Sequence, residues 1–108
     1  MRTLVDRPSG FASLTVTVGL RHGVLGLVVR GSLDATTGRW LLNDLAIAFE
    51  PSAREVQLDL AGVVAMDRGG VLAVDRCRAF AVARGARFRI TELSRSPRLL
   101  DLREPTEA

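Results

Sequence analysis

The apolar and polar positions of the chain follow two periods, and the change of period separates strands from helices. In residues 11–18, apolar side chains alternate with serine and threonine, which is typical of a half-buried strand. A second apolar run covers residues 24–30, after a turn at residues 19–23 that begins and ends with glycine. The two runs predict an antiparallel β-hairpin at the start of the fold.

A helical period follows the hairpin. Leucines recur three and four positions apart on the way to Glu50, and Pro51 ends the pattern. The helix should begin near Asp34, Thr36 or Thr37, because each of these side chains can accept a hydrogen bond from a free N–H of the first turn. We therefore predict an amphipathic helix that packs its leucine face on a sheet.

The next strand leads into a turn that is rich in glycine. Residues 55–60 alternate with the period of a strand, Gly62 breaks the run, and residues 63–66 form an apolar extended link. The turn at residues 67–70 reads Asp-Arg-Gly-Gly and opens a second helix, which Gly85 should end. A strand that feeds a glycine-rich turn and a helix is where α/β domains often place their functional loop.

A fourth strand and a short last helix complete the pattern, at residues 86–91 and 96–103. The predicted fold class is α/β with the order β-β-α-β-α-β-α: a small mixed four-stranded sheet, an antiparallel N-terminal hairpin, and helices packed on the sheet. We expect a single domain over residues 1–108, with its core in about residues 12–103, a loose lead-in at residues 1–10 and a polar C-terminal tail.

The composition fits a folded domain without a membrane segment, a metal or a cofactor. The chain has 108 residues, of which 47% are hydrophobic and 25% charged, and no apolar run approaches the ~18 residues of a membrane span. Residues 1–10 lack the apolar core of a signal peptide, so we expect a cytoplasmic protein. The lone Cys77 and the lone His22 give no basis for a disulfide, a zinc cluster or a histidine relay.

Every basic residue of the chain is an arginine, which we interpret as the coding bias of a GC-rich bacterium. The net charge of +3 permits nucleic-acid binding. However, the arginines are scattered among acidic residues, and no aromatic residues are interleaved with them. We therefore expect no nucleic-acid partner.

Four short segments follow one another in the order of a known family. They are G-S-L-D at residues 31–34 with Thr37 after it, L-D-L-A-G-V at residues 58–63, D-x-x-G at residues 67–70, and R-G-A-R-F-R-I at residues 84–90. The chain resembles the STAS domains of anti-sigma factor antagonists and of their relatives in sulfate transporters. The resemblance covers about residues 12–103 and implies the STAS fold.

The resemblance also implies a regulatory function. Bacterial antagonists of this family bind an anti-sigma factor that is also a serine kinase, which frees a sigma factor and changes transcription, as in stress responses. The kinase phosphorylates a serine in a D-S-S-G turn, and the added charge of about −1.5 to −2 can switch the binding off. In this chain Arg68 and Gly69 occupy the serine positions, so the turn has no phosphoacceptor.

The same resemblance indicates where a partner should bind. The expected surface combines the loop before the first helix with the glycine-rich turn and the exposed side of the second helix. Its residues are Asp34, Thr36, Thr37, Asp67, Arg68, Gly69, Gly70 and Leu72. The sequence leaves open whether the chain also forms a homodimer.

Two other binding functions stay open at this point. The chain could be a STAS module of another signalling or transport complex. It could also be a sensor that holds a phosphate or a nucleotide with Arg68 and the N–H groups of Gly69 and Gly70, because free N–H groups at a helix N-terminus attract anions.

Catalysis finds little support in the sequence. Asp34, Asp59 and Asp67 are carboxylates near predicted strand ends, and such groups can serve acid–base chemistry or hold Mg²⁺. No histidine, cysteine or lysine lies near them in the sequence, and the turn contains no nucleophile. We therefore predict that the protein is not an enzyme.

Overall fold

In the part of the chain that the structure describes, five strands form one sheet, and two helices connect its parallel strands. The computed structural model describes residues 2–6 and 14–93. The elements in chain order are β1 (Arg2–Asp6), β2 (Leu14–Arg21), β3 (Val24–Leu33), α1 (Ala35–Ala48), β4 (Glu55–Met66), α2 (Arg68–Ala83) and β5 (Arg87–Leu93). The strands lie in the sheet in the same order as in the chain. The α/β class is confirmed, and the predicted last helix at residues 96–103 lies outside the described residues.

The predicted hairpin is confirmed as the antiparallel pair of β2 and β3. Its turn consists of His22 and Gly23 alone, with φ angles of 53° and 79°. Two successive positive φ angles are typical of the turns that match the right-handed twist of hairpin strands. Because the turn is so tight, the strands stay paired up to Arg21 opposite Val24, further than the sequence predicted.

Residues 2–6 form a strand, which corrects the prediction of a loose lead-in for this part of residues 1–10. β1 pairs antiparallel with β2, beginning with Arg2 opposite Val18. The four predicted strands are all present as β2 to β5, and β1 adds a fifth strand at the edge of the sheet. The sequence of β1 is Arg-Thr-Leu-Val-Asp, which is too short and too mixed to show a period.

β3, β4 and β5 run parallel, and α1 and α2 connect them. Right-handed crossovers in one direction place both helices on the same face of the sheet, where they pack against each other. β4 does not end at the predicted break at Gly62 but continues to Met66, with irregular pairing to β3 on either side of that glycine. As a result the two strands end together, with Met66 opposite Leu33.

The core lies between the sheet and the two helices. Alternate residues of β2, β3 and β4 are buried, as their sequence period predicts. The fully buried large side chains are Leu14, Val16, Leu25, Leu27, Val29, Leu33, Leu41, Leu45, Val56, Leu58, Leu60 and Val63. This core holds the carboxyl ends of β3 and β4 side by side under the first turns of the helices.

Cys77 of α2 belongs to this core. Its side chain is completely buried, and burial raises the pKa of the thiol to about 12. The thiol is therefore neutral at physiological pH and unreactive.

Candidate functional site

Two corners of similar construction lie side by side at the carboxyl ends of β3 and β4. In each corner a strand ends, an aspartate follows and a helix begins, with Asp34 before α1 and Asp67 before α2. We call residues 32–38 the α1 corner and residues 66–72 the α2 corner. The Asp67 N–H donates to the Leu33 carbonyl across 3.3 Å, so a hydrogen bond joins the two corners.

The α1 corner is closed by a reciprocal pair of hydrogen bonds. The Thr37 N–H donates to Asp34 Oδ1 and the Asp34 N–H donates to Thr37 Oγ1, each across 2.9 Å. The Thr37 hydroxyl also donates to the Ser32 carbonyl across 2.7 Å. This arrangement is a capping box, and it fixes the path of the chain into α1.

The α2 corner has half of that arrangement. The Gly70 N–H donates to Asp67 Oδ1 across 3.0 Å, and the Val71 N–H donates to the Asp67 carbonyl. Gly70 has no side chain to return a bond, and the Asp67 N–H pairs with the Leu33 carbonyl. Arg68, the first residue of α2, is exposed. The helix is thus capped, with the Asp67 carboxylate and the Arg68 guanidinium at the surface.

The glycines of the α2 corner are required by the close packing of the two corners. A Cβ on Gly69 would lie 2.5 Å from the Ala35 backbone nitrogen and 2.8 Å from the Ala35 Cα. A Cβ on Gly70 would collide with the Leu33 carbonyl oxygen and would lie 2.8 Å from Met66 Cγ. A side chain at either position would therefore force the helix starts apart.

A groove lies between the first turns of α1 and α2. Its floor consists of small residues from both helices, Ala35, Gly38, Gly69 and Ala73. The helices are so close there that a Cβ on Gly38 would collide with the Ala73 side chain. Above this contact the small residues leave a volume of about 250 Å³, which we call the interhelix groove.

Two leucines and two arginines complete the interhelix groove. Leu42 and Arg39 belong to α1, and Leu72 and Arg76 belong to α2. Leu72 is 56% exposed, a large fraction for a leucine of a packed helix. Neither arginine forms a hydrogen bond or an ion pair with any residue in the described part of the chain. The groove is therefore apolar at its floor and positively charged at its sides.

The structure brings all the predicted partner-binding residues into this region, but not all of them onto the surface. Thr36, Asp67, Arg68 and Leu72 are exposed, Asp34 and Gly69 are half-buried, and Thr37 and Gly70 are buried. Thr37 and Gly70 therefore hold the corners together and offer no surface to a partner.

The sequence prediction did not include most of the lining of the interhelix groove. From Ala35, the lining residues of α1 follow three, four and seven positions later, and from Gly69 those of α2 follow at the same intervals. These intervals define one face of a helix. The signal was thus present in the sequence, but its meaning depends on how closely the two helices pack.

The carboxylates of the region have structural partners. Asp34 and Asp67 cap the helices, and Asp59 Oδ1 on β4 accepts a hydrogen bond from the Ala61 N–H across 2.9 Å. Within residues 2–6 and 14–93, no three His, Cys, Asp or Glu side chains come together as metal ligands. No helix in the described part of the chain is long and apolar enough to cross a membrane. The exposed groups of the corners and the groove, among them Leu72, Arg39 and Arg76, can contact another molecule.

Solved structures of known proteins share this fold. An anti-sigma factor antagonist from Mycobacterium paratuberculosis matches with a TM-score of 0.68 at 20% identity, over 87% of this chain and 82% of that chain. The STAS domain of an antisigma-factor antagonist from Rhodobacter sphaeroides matches with a TM-score of 0.56 at 23% identity, over 71% and 84% of the two chains. A scan of the sequence against models of protein families finds no match, and neither does a search of curated proteins.

The same fold also occurs inside a larger protein. The crystal structure of Mglu matches with a TM-score of 0.64 at 22% identity over 73% of this chain, which spans only 20% of the length of Mglu. At these identities the similarity establishes the fold. The fold that the four sequence segments predicted is therefore confirmed: this chain has the STAS-like fold found in anti-sigma factor antagonists.

Proposed function

We propose that this chain is a non-catalytic protein-interaction domain that acts as an anti-sigma factor antagonist. Its partner is an anti-sigma factor with serine-kinase activity in the cytoplasm of a bacterium, and binding releases a sigma factor for transcription under stress. The observation that carries the proposal is the pair of corners with the interhelix groove, on the fold of antagonists from two organisms. Exposed Leu72 beside exposed Arg68 is the combination of apolar and cationic groups that protein interfaces favour.

The proposed antagonist works without a phosphate switch. Gly69 has no hydroxyl, and a serine at this position needs space that the Ala35 backbone occupies, 2.5 Å from the Cβ position. Of the nearby hydroxyls, Thr36 is exposed, whereas Thr37 is buried and donates to the Ser32 carbonyl. We therefore expect binding to be constitutive and to be controlled by the amount of the protein.

Affinity capture from the native host tests this function. The full chain is used as bait, and the captured proteins are identified by mass spectrometry. We expect an anti-sigma kinase to be recovered by the wild type and to be lost with Leu72→Asp. Val82→Asp is the matched control, because Val82 is 59% exposed on the same helix but does not line the groove. Equal recovery by both variants would place the partner elsewhere on the molecule.

A second candidate function is an interaction module of another signalling or transport complex. The similarity to one fifth of Mglu supports it, because this fold also serves as a part of a larger chain. The same capture experiment separates the two functions. Recovery of a transporter or a sensor scaffold, with no anti-sigma kinase, would favour the module.

The anion-sensor alternative receives less support from the geometry. The Gly70 N–H that it requires already donates to Asp67 Oδ1, and Gly69 packs against Ala35. Thermal unfolding with phosphate, GTP or ATP tests it, because a ligand that binds the folded state raises the melting temperature. We expect no shift. A shift that disappears in Arg68→Ala would establish the anion site.

A further inference from the structure

We infer that the interhelix groove binds an acidic, apolar segment of a protein partner. One or two leucine-sized side chains of the segment occupy the floor, and carboxylates beside them pair with Arg39 and Arg76. The inference rests on the proposed function and adds the chemistry of the partner segment. Four properties of the groove lead to it: its volume, its floor, its charge and its exposed leucine.

The volume and the floor of the groove favour a side chain of a protein over a small molecule. About 250 Å³ is available, less than the ~300–1,000 Å³ of typical small-molecule sites. The floor offers no polar side chain, because it consists of alanine and glycine, whereas small-molecule sites place a few polar groups precisely. Apolar grooves between helices are typical receptors for the apolar face of an amphipathic segment.

The charge of the groove determines which segment fits. Two arginines of the structure have an acidic partner, since Arg87 and Arg89 lie 3.4 and 3.8 Å from the carboxylate of Glu55. Arg39 and Arg76 have no such partner among the described residues, and no acidic residue lines the groove. Arginine binds carboxylates through two parallel hydrogen bonds when the geometry permits. A partner segment with carboxylates beside its apolar residues therefore complements both groups.

The apolar part of the groove distinguishes a protein from a nucleic acid. Leu72 is 56% exposed next to Leu42, and the floor between them has no charge. Burying this surface stabilises a complex with apolar side chains, at about 25 cal/mol for each Å² removed from water. A phosphate backbone would pair with the arginines but would leave the leucines and the floor uncovered.

Three capped synthetic peptides that form amphipathic helices test the inference on the full chain. The first peptide has leucines on one face with glutamates beside them, the second has lysines in place of the glutamates, and the third has serines in place of the leucines. We expect the first peptide to bind saturably and to shift the NMR amide signals of Ala35, Gly38 and Ala73. The other two should bind at least about tenfold more weakly.

Charge reversal identifies the arginines that the acidic peptide uses. The double variant Arg39→Glu with Arg76→Glu should bind the glutamate peptide at least about tenfold more weakly and the lysine peptide at least about tenfold more tightly. The matched control is Arg21→Glu with Arg30→Glu, which changes the net charge equally at exposed arginines outside the groove. The control should bind like the wild type, and thermal unfolding verifies that both double variants are folded.

Several results would overturn the inference. They are equal binding of the glutamate and lysine peptides, no saturable binding below about 1 mM, amide shifts away from the groove, and displacement of the peptide by a DNA oligonucleotide. The inference would also be overturned if this chain forms a dimer and the double variant Arg39→Glu with Arg76→Glu is monomeric. The groove would then bind a second copy of the chain.

Two further results distinguish a failure of this inference from a failure of the proposed function. If a captured anti-sigma kinase binds the double variant as tightly as the wild type, the inference fails and the proposed function stands. If the glutamate peptide binds as expected but capture from the host yields no anti-sigma kinase, the proposed function fails and the acidic, apolar specificity of the groove stands.

Discussion

The α1 corner and the α2 corner begin in the same way and are completed in different ways. Each caps its helix with an aspartate that follows a strand. The third residue of α1 is Thr37, whose hydroxyl completes a capping box, whereas the third residue of α2 is Gly70, which allows α2 to approach Leu33. The α1 corner is held by the additional hydrogen bonds of Thr37, whereas the close packing of the α2 corner depends on the missing side chain of Gly70.

This difference explains why residue 69 of the α2 corner cannot both pack against α1 and be a phosphoacceptor. Gly69 lies against Ala35, and the family resemblance assigns the phosphoacceptor to this same position. A serine would need the space that the close approach of the helices has removed. The close approach in turn forms the floor of the interhelix groove. In this chain, residue 69 is therefore used for packing.

The largest expected effect comes from adding one methyl group to the α2 corner. In Gly70→Ala the new Cβ collides with the Leu33 carbonyl oxygen and meets Met66, so the free energy of unfolding should fall by about 3 kcal/mol. Chemical denaturation measures this change.

Gly26→Ala is the matched control for that variant. A Cβ on Gly26 has the Gly19 carbonyl oxygen as its nearest neighbour, at an ordinary 3.8 Å. The free energy of unfolding should therefore stay within about 0.5 kcal/mol of the wild type. Equal losses in the two variants would show that the α2 corner is not closely packed.

The α1 corner should be sensitive to the loss of one hydroxyl. Thr37→Val keeps the shape of the buried side chain but removes the partner of the Asp34 N–H and of the Ser32 carbonyl. The expected loss is about 2 kcal/mol of unfolding free energy, because buried polar groups are left without hydrogen bonds. Thr36→Val, at an exposed position of the same turn, should change stability by less than about 0.5 kcal/mol. Comparable losses in both variants would contradict the role of the capping box.

The features that the sequence predicted correctly are those that depend on residues close together in the chain. Asp34 as a helix cap, the hairpin before it and the turn at Asp67 follow from local pattern and capping chemistry. The strand β1 could not be predicted, because its existence depends on pairing with β2, and the passage of β4 through Gly62 depends on pairing with β3. The interhelix groove was missed for the same reason, since it exists only where Gly38 meets Ala73.

The two caps should differ in strength by a smaller amount. Asp34→Ala removes the acceptor of the Thr37 N–H and breaks the capping box, whereas Asp67→Ala removes the acceptor of the Gly70 N–H, which is not part of a capping box. We expect losses of about 1.5 and about 1 kcal/mol in unfolding free energy. Denaturation of the two variants side by side decides the order. A larger loss for Asp67→Ala would show that the α2 corner depends more on its cap than the α1 corner does.

The smallest expected effect on stability concerns the arginines of the interhelix groove. Arg39→Ala and Arg76→Ala remove no hydrogen bond or ion pair to the described residues, so each should change the unfolding free energy by less than about 0.5 kcal/mol. The same variants should weaken binding of the acidic peptide. A clear loss of stability in either variant would mean that these arginines serve the fold.

The proposed function requires that the two corners bind a protein partner without a phosphate switch. Calorimetric titration of the host's anti-sigma kinase with the full chain tests this requirement. One sample of the chain is untreated. The other is first incubated with that kinase and Mg-ATP, and the nucleotide is then removed. We expect the same affinity in both titrations and an unchanged mass of the chain. A loss of affinity together with a phosphate on Thr36 or Thr37 would contradict it.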